Sequence, residues 1–369
     1  MSAKNKIKSN NSSPFPKGRF GKGLILVTGG TGYIGSHTVV ELLEKGFEVV
    51  IIDNLSNSRI EVLDSIEKIT GKRPQFWNID LCDKAAIQKK VLSLGEDLGE
   101  ASIIHFAAYK AVGESVEKPL MYYRNNLLSL TNLLEICEEY KVKNFVFSFS
   151  CSVYGEPDHL PIDEKAPLKK AESPYGNTKQ ICEDILADVA KVSDLQTIAL
   201  RYFNPVGAHE SALIGEYPLQ PPTNLFPVIT QTVIGKRDSF NVFGDNYDTP
   251  DGSCIRDYIH VVDIAKAHVV AIERLMNKNN KSSFEIFNLG TGKGHSVLEA
   301  IKTFEKITGQ KVNYKIAPRR EGDVIKVYAD TKLANKELGW KAEKKLEEML
   351  SSAWKWELAL KKLAVSSKQ

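Results

Sequence analysis

Apolar positions along the chain fall into two textures that alternate. Short unbroken apolar runs stand at Leu24-Ile25-Leu26-Val27, ending in glycines, and at Val49-Val50-Ile51-Ile52, ending at Asp53. Further runs follow at Ser102-Ile103-Ile104-His105-Phe106-Ala107, Asn144-Phe145-Val146-Phe147 and Thr197-Ile198-Ala199-Leu200. Runs with no polar alternation predict strands buried on both faces, as in a parallel sheet. Between them lie amphipathic stretches at helical period, among them Thr38 to Lys45, Leu127 to Tyr140 and Tyr175 to Lys191. The alternation predicts an α/β fold, a doubly wound parallel sheet joined by right-handed crossovers. After Tyr202 the texture changes. Residues 204–259 are rich in Pro, Gly and Asn and poor in long periodic segments, which predicts a smaller, loop-rich C-terminal domain. A helix (Val262 to Met276), a strand (Glu285 to Leu289) and a last helix (Lys345 to Lys362, carrying Trp354 and Trp356) follow. The expected division is a tail at 1–22, a first domain at 23–203 and a second at 204–369, with part of 255–290 returning to the first.

Composition narrows the function classes. The 49 basic and 46 acidic side chains leave a formal charge of +3, too balanced for a field that gathers nucleic acid or an anionic membrane. No apolar run approaches the ~20 residues of a membrane helix. Met1 to Lys22 is polar, rich in Lys and Ser and without acids or an apolar stretch. It reads as a disordered tail and not a secretory signal, with the missing acids leaving a transit peptide as the alternative. Cysteines stand at 82, 137, 151, 182 and 254, an odd count with no C-x-x-C pair. That points to reduced thiols in a cytoplasmic protein, with no disulfide framework and no metal site.

Chemistry enters at the first strand. It runs into Thr28-Gly29-Gly30-Thr31-Gly32-Tyr33-Ile34-Gly35, with Gly29, Gly32 and Gly35 spaced G-x-x-G-x-x-G. Glycines there permit a tight turn and let backbone N–H groups approach a pyrophosphate at a helix N-terminus. The pattern predicts a Rossmann-type dinucleotide site. Asp53 ends the second strand, where an acid accepts hydrogen bonds from the adenosine ribose and repels a 2′-phosphate. With no Arg adjacent, the cofactor is read as NAD. Asp80-Leu81 falls beside the adenine by order of elements.

Ser173-Pro174-Tyr175-Gly176-Asn177-Thr178-Lys179 opens a helix, with Ser173 as N-cap and Pro174 in the first turn. Tyr175 and Lys179 are four apart and share a face. A Lys ammonium and the positive ring of bound NAD are expected to draw a tyrosine from its ordinary pKa of about 10 toward the range of proton transfer. Ser150, after the strand at 144–147, stands where it can hold a substrate oxygen. Each feature alone is commonplace; their order along one chain is not.

The chain resembles the UDP-glucose 4-epimerases of the extended short-chain dehydrogenase/reductase family across roughly residues 24–358. The resemblance is carried by Val27 to His37, Lys110-Ala111-Val112-Gly113-Glu114-Ser115-Val116, Arg201 to His209, Arg256-Asp257-Tyr258-Ile259-His260-Val261 and Arg319-Arg320-Glu321-Gly322-Asp323. It implies an NAD that stays bound while Tyr175 removes the proton of the sugar 4-hydroxyl and hydride leaves C4. The 4-keto sugar then turns over, held by its UDP, and hydride returns to the opposite face. It implies cofactor contacts from Tyr33, Ile34, Asn54, Asn57, Ser58, Phe106, Ala107, Lys110, Asn125, Ser150, Tyr175, Lys179 and Tyr202, besides the glycines, Asp53, Asp80 and Leu81. For a UDP-sugar it implies Ser150, Tyr175, Asn204, Asn224, Leu225, Asn241 and Phe243, with Arg256 and Arg320 on the pyrophosphate and Asp323 on the uridine ribose. Val327 falls at a gate beside the sugar C2 substituent, and its small size implies that UDP-GlcNAc and UDP-GalNAc are also accepted. A homodimer through helices at about 122–140 and 174–192 is implied too; Leu127, Leu130, Leu134, Ile181, Ile185 and Val189 lie there at helical spacing.

The chain departs from the family pattern at Phe149, Cys151, Ala108-Tyr109 and Thr223, and its C-terminus ends in Lys and Ser instead of an aromatic-rich segment. Phe149 and Tyr109 are expected to alter packing near the nicotinamide. Rival readings are a nucleotide-sugar 4,6-dehydratase or a decarboxylase, a UDP-xylose/UDP-arabinose 4-epimerase, and a non-catalytic NAD-sensing protein. Ser150-Cys151-Ser152-Val153-Tyr154 carries no acid, which removes the general acid that elimination needs. The retained Tyr175 and Lys179 argue against a sensor.

Overall fold

The structure, a computed structural model, describes residues 22–320 and 323–366. The expected N-terminal tail lies outside the described residues apart from Lys22. The first strands are β1 (Leu24–Thr28), β2 (Glu48–Asp53), β3 (Gln75–Asn78), β4 (Ser102–His105), β5 (Asn144–Ser150) and β6 (Gln196–Tyr202). They are followed by the shorter β7 (Asn204–Val206), β8 (Phe240–Phe243) and β9 (Ile255–His260), and then by β10 (Phe284–Leu289). A seven-stranded, all-parallel sheet runs in the order β10-β6-β5-β4-β1-β2-β3. Strand order reverses between β1 and β4, and ligands of such sheets bind outside the carboxyl ends at that reversal.

Strand alternation builds two cores. Leu24, Leu26, Phe145, Phe147 and Phe149 face one side, with residues of α3 (Lys84–Val91), α5 (Pro119–Tyr140) and α6 (Pro174–Val192). Ile25, Val27, Val49, Ile51 and Val146 face the other, with α1 (Tyr33–Glu44), α2 (Val62–Thr70) and α8 (Val261–Met276). The short α4 (Val112–Glu117) precedes α5. The predicted elements are present, most with longer bounds; β4 stops at His105, short of the apolar run, and α1 starts at Tyr33 and ends at Glu44. β3 escaped the sequence reading because it is an edge strand on which only Trp77 is fully buried. Return of the chain at β10 places Phe284–Leu289 beside β6.

A third core gathers Val206, Phe226, Ile229, Val242, Tyr258 and Phe304 with Met349 and Leu350. It is built by β7, β8, α7 (Leu225–Val233), β9, α9 (Val297–Thr308) and α10 (Leu346–Ser366), with β11 (Gly294–Ser296), β12 (Tyr314–Ala317) and β13 (Lys326–Val327). No helix among the described residues is long and apolar enough to cross a membrane.

Candidate active site

At the reversal of strand order a cleft opens whose wall carries Gly29, Gly32, Tyr33, Ile34 and Gly35 after β1, Asp53, Asn54, Asn57 and Ser58 after β2, and Asp80 and Leu81 after β3. Phe106, Ala107 and Lys110 after β4, Asn125 of α5, Tyr175 and Lys179 of α6 and Tyr202 of β6 complete it. These are the cofactor residues read from the sequence, with one exception. Ser150, at the end of β5, is not among the cleft-lining residues; its hydroxyl accepts from Ser152 N–H at 3.2 Å and stands close enough to Tyr175 to draw that phenol's pKa down.

The loop is shaped for close approach. Gly29 adopts φ +68°, and a Cβ on Gly35 would lie 2.2 Å from the Gly29 carbonyl oxygen. The first turn of α1 therefore sits directly on the loop, and no side chain caps it, leaving its N–H groups to the cleft. Asp53 is held in place by Thr31 N–H at 3.2 Å, Leu55 N–H at 2.9 Å and the Ser58 hydroxyl at 2.9 Å. A carboxylate has about four lone-pair sites, so one is left for a ribose hydroxyl. A main-chain cradle at one end and an acid at the other fit an NAD. No Arg is adjacent to Asp53; Arg59, six residues on, lines the same cleft with its guanidinium 4.2 Å from the centre of the Tyr217 ring.

Helix α6 positions the proposed proton-transfer pair. The Ser173 hydroxyl accepts from Gly176 N–H at 3.1 Å, capping the helix behind Pro174. Glu183, two turns on, takes two hydrogen bonds from the buried Arg201 of β6 and locks α6 to the sheet. Asn126 of α5 donates to Thr178 at 3.0 Å. Burial pushes the Tyr175 phenol well above its ordinary value, Tyr202 adds to the rise, and the hydrogen bond with Ser150 pulls it down. The lowering expected from Lys179 is not found in the protein alone. Lys179 Nζ donates to the Ser148 carbonyl at 3.2 Å, lies 4.7 Å from the Phe147 ring centre, and is itself pushed down to about 8 by burial.

A second cavity, of about 630 Å³, opens against the third core, within the ~300–1,000 Å³ usual for ligand sites. Asn204, Asn224, Leu225, Asn241, Phe243, Arg256, Arg320 and Asp323 all line it, together with Thr223. Arg320 pairs with Asp323 at 2.6 Å and lies 5.3 Å from the Phe243 ring centre. Arg256 donates to the Ile255 carbonyl at 2.9 Å. Glu321 and Gly322 lie outside the described residues.

Two expectations change. Val327 lines neither cavity. It packs in the core on β13, where the pairing with β9 sets it beside Arg256 in register. Phe149 is fully buried beside Phe147 and Arg201, so it touches the sheet core instead of the cleft; Tyr109 does line the cleft. Of the apolar residues on α5 and α6, Leu130 and Leu134 are buried in the protein's own core, Leu127, Ile185 and Val189 pack against it half-buried, and Ile181 is half-buried. The sequence reading missed Arg59, Glu216 and Tyr217 in the cleft and Arg237 and Tyr258 in the cavity. Arg237, just past α7, carries only the signature of an ordinary helix-end cation.

A family model described as GDP-mannose 4,6 dehydratase matches residues 26–353. A UDP-glucose 4-epimerase of Bacillus subtilis is 50% identical over 334 residues, covering 90% of this chain and 96% of its own. A solved UDP-glucose 4-epimerase from Stenotrophomonas maltophila, with bound NAD and formylated UDP-arabinopyranose, superposes with a TM-score of 0.88 at 46% identity, covering 92% of this chain and 99% of that one. One from Bifidobacterium longum, in complex with NAD+ and UDP, gives 0.85 at 46% identity, with 91% and 98% covered. Taken with the cleft, the cavity and the missing elimination acid, these similarities place the chain within the extended short-chain dehydrogenase/reductase family, among its UDP-glucose 4-epimerases.

Proposed function

We propose that the protein interconverts UDP-glucose and UDP-galactose through a 4-keto sugar, using an NAD held in the β1–β4 cleft. The observation that carries this reading is the meeting of Tyr175, Lys179 and the glycine loop in one cleft beside a cavity that collects Asn224, Arg256, Arg320 and Asp323. When bound, NAD supplies the hydride acceptor at C4 and a positively charged ring near the phenol. Tyr175 takes the proton of the 4-hydroxyl and later returns it, and Ser150 holds the phenol in line through their hydrogen bond. The ammonium form of Lys179, one turn along α6, favours the phenolate, and the buried setting excludes water from the reacting face. Arg256 and Arg320 grip the diphosphate, a task suited to guanidinium forks, while Asp323 takes the uridine ribose. Anchoring at the nucleotide leaves the keto sugar free to rotate. Lys110 and Asn125 hold the cofactor from the β4 side.

Tyr175→Phe tests the assignment. Turnover of UDP-galactose should fall by at least ~10²-fold while folding and bound NAD are unchanged; near-wild-type turnover would overturn it. We further assign residues 23–203 with the β10 return to the NAD domain and the remainder to the UDP-sugar domain, and infer a cytoplasmic homodimer. Leu127, Ile185 and Val189 pack on the protein's own core and are only half-buried by it; the surface they leave, with that of half-buried Ile181, is what supports the α5–α6 face as its interface. Sedimentation showing a monomer at micromolar concentration would remove it.

A further inference from the structure

The segment Gly215–Leu219 belongs to the smaller domain in sequence yet crosses to the wall of the dinucleotide cleft. Three contacts fasten it there. Tyr217 stacks under Arg59 at 4.2 Å, Leu219 N–H donates to Asn57 at 3.3 Å, and Glu216 pairs with Lys110 at 3.3 Å. Its far side is tied back to α10, where Trp356 Nε1 donates to the Glu216 carbonyl at 3.0 Å. Glu216 also touches Asn224, a wall residue of the second cavity. Its Oε1, the atom that accepts from Lys110, accepts from Asn224 Nδ2 at 3.0 Å. The carboxylate is largely covered, whereas Lys110 is half-exposed.

We propose that Glu216 is a positioning residue that couples the two pockets, so that filling the UDP-sugar cavity tightens retention of the dinucleotide. One carboxylate oxygen serves two donors of unequal kind. The Asn224 amide is the donor for which a diphosphate oxygen competes. Once Asn224 turns to that oxygen, Glu216 faces the Lys110 ammonium alone. Only the Lys110 bond joins two opposite charges and gains their Coulomb attraction, and it closes the segment on the cleft. The proposal rests on reading the second cavity as the UDP-sugar site.

The test follows release of labelled NAD from the holoprotein by exchange, with and without saturating UDP, while UDP binding is measured separately by calorimetry. UDP should slow release by roughly 5-fold or more, the lower end of ordinary site–site coupling. Glu216→Ala should abolish that response, and Glu216→Gln, which keeps an oxygen for Asn224 but lacks the charge for Lys110, should keep only part of it. Asn224→Ala should slow release without UDP, since it leaves Glu216 to Lys110 from the start; this variant carries the test if Glu216→Ala does not fold. Equal slowing by UDP in wild type and Glu216→Ala overturns the role of Glu216 and leaves the proposed function intact. Failure of UDP to bind the wild-type holoprotein overturns both.

Discussion

The dinucleotide cleft and the UDP-sugar cavity lie in one molecule but are made of different material. The cleft is built largely from main chain and buried side chains at the ends of sheet strands. Gly29 and Gly35 touch through backbone, Asp53 is pinned by three donors, and Lys179 and Tyr175 are buried on a helix locked by Arg201 and Glu183. The cavity is built from side chains on short strands and loops. Asn224, Asn241 and Phe243 are exposed, and Arg320 and Asp323 satisfy each other across its rim. A rigid site suits a cofactor that stays through many turnovers. A side-chain site suits a substrate that must enter, let its sugar turn and leave.

If the comparison holds, a single methyl group should damage the cleft more than the loss of a whole guanidinium damages the cavity. Gly35→Ala puts a Cβ 2.2 Å from the Gly29 carbonyl oxygen, and backbone on both sides must shift. NAD affinity should fall by ~10²-fold or more, the scale of a 1 Å misplacement, read by cofactor content after gel filtration. Retention of stoichiometric NAD would show that the loop yields more than its contacts imply. Arg320→Ala at the cavity rim should raise KM for UDP-galactose by about 10-fold and leave kcat nearly unchanged, the mark of lost uniform binding. A fall in kcat instead would move Arg320 into the chemical step.

The same contrast explains what the sequence disclosed. Main-chain sites leave spacing rules, so the glycine loop, Asp53 at a strand end and the Tyr175–Lys179 pair were readable from residue type and position. Side-chain sites assembled from distant loops leave no such rule. Asn204, Arg256 and Asp323 were reached only through family resemblance, and Arg59, Glu216 and Tyr217 were not reached at all, because their partners lie across the fold. Val327 shows the limit of resemblance: it gave a position in a motif but not the direction of the side chain, and the residue packs into the core.

Lys179 offers a smaller effect, confined to the cleft. Burial lowers it to about 8, against about 10.4 for an unfolded lysine. Between those values the unfolded chain binds more protons than the folded protein, so this group makes stability rise with pH from about 8 to 10.4 and lowers it as pH falls back through 8. The difference in Tm between cofactor-free wild type and Lys179→Met should shift in favour of wild type by about 2–4 °C across that window. A difference that stays flat would mean that Lys179 is charged throughout.

Substrate breadth is the finest distinction and falls at the border of the cavity. A valine at 327 lacks a ring, and the neighbouring Tyr328 cannot fill the space in its place: its ring rests against Gly294, 3.2 Å from where a Cβ there would stand, on the opposite face of the strand. The wild-type enzyme should therefore also interconvert UDP-GlcNAc and UDP-GalNAc. Because Val327 is 7% exposed, Val327→Tyr does two things at once. It overpacks the core at a cost of about 1–3 kcal/mol, seen as a lowered Tm, and a ring displaced from that packing presses on Arg256, the register partner of Val327 on β9, which lines the cavity. The N-acetyl activity should drop roughly 10-fold relative to that on UDP-glucose, the scale of steric discrimination in a pocket. Equal loss on both sugars would mark Val327 as packing alone. Absence of wild-type activity on UDP-GlcNAc would end the claim of breadth and leave the UDP-glucose reading in place, since that rests on Tyr175 and the cleft and not on this strand.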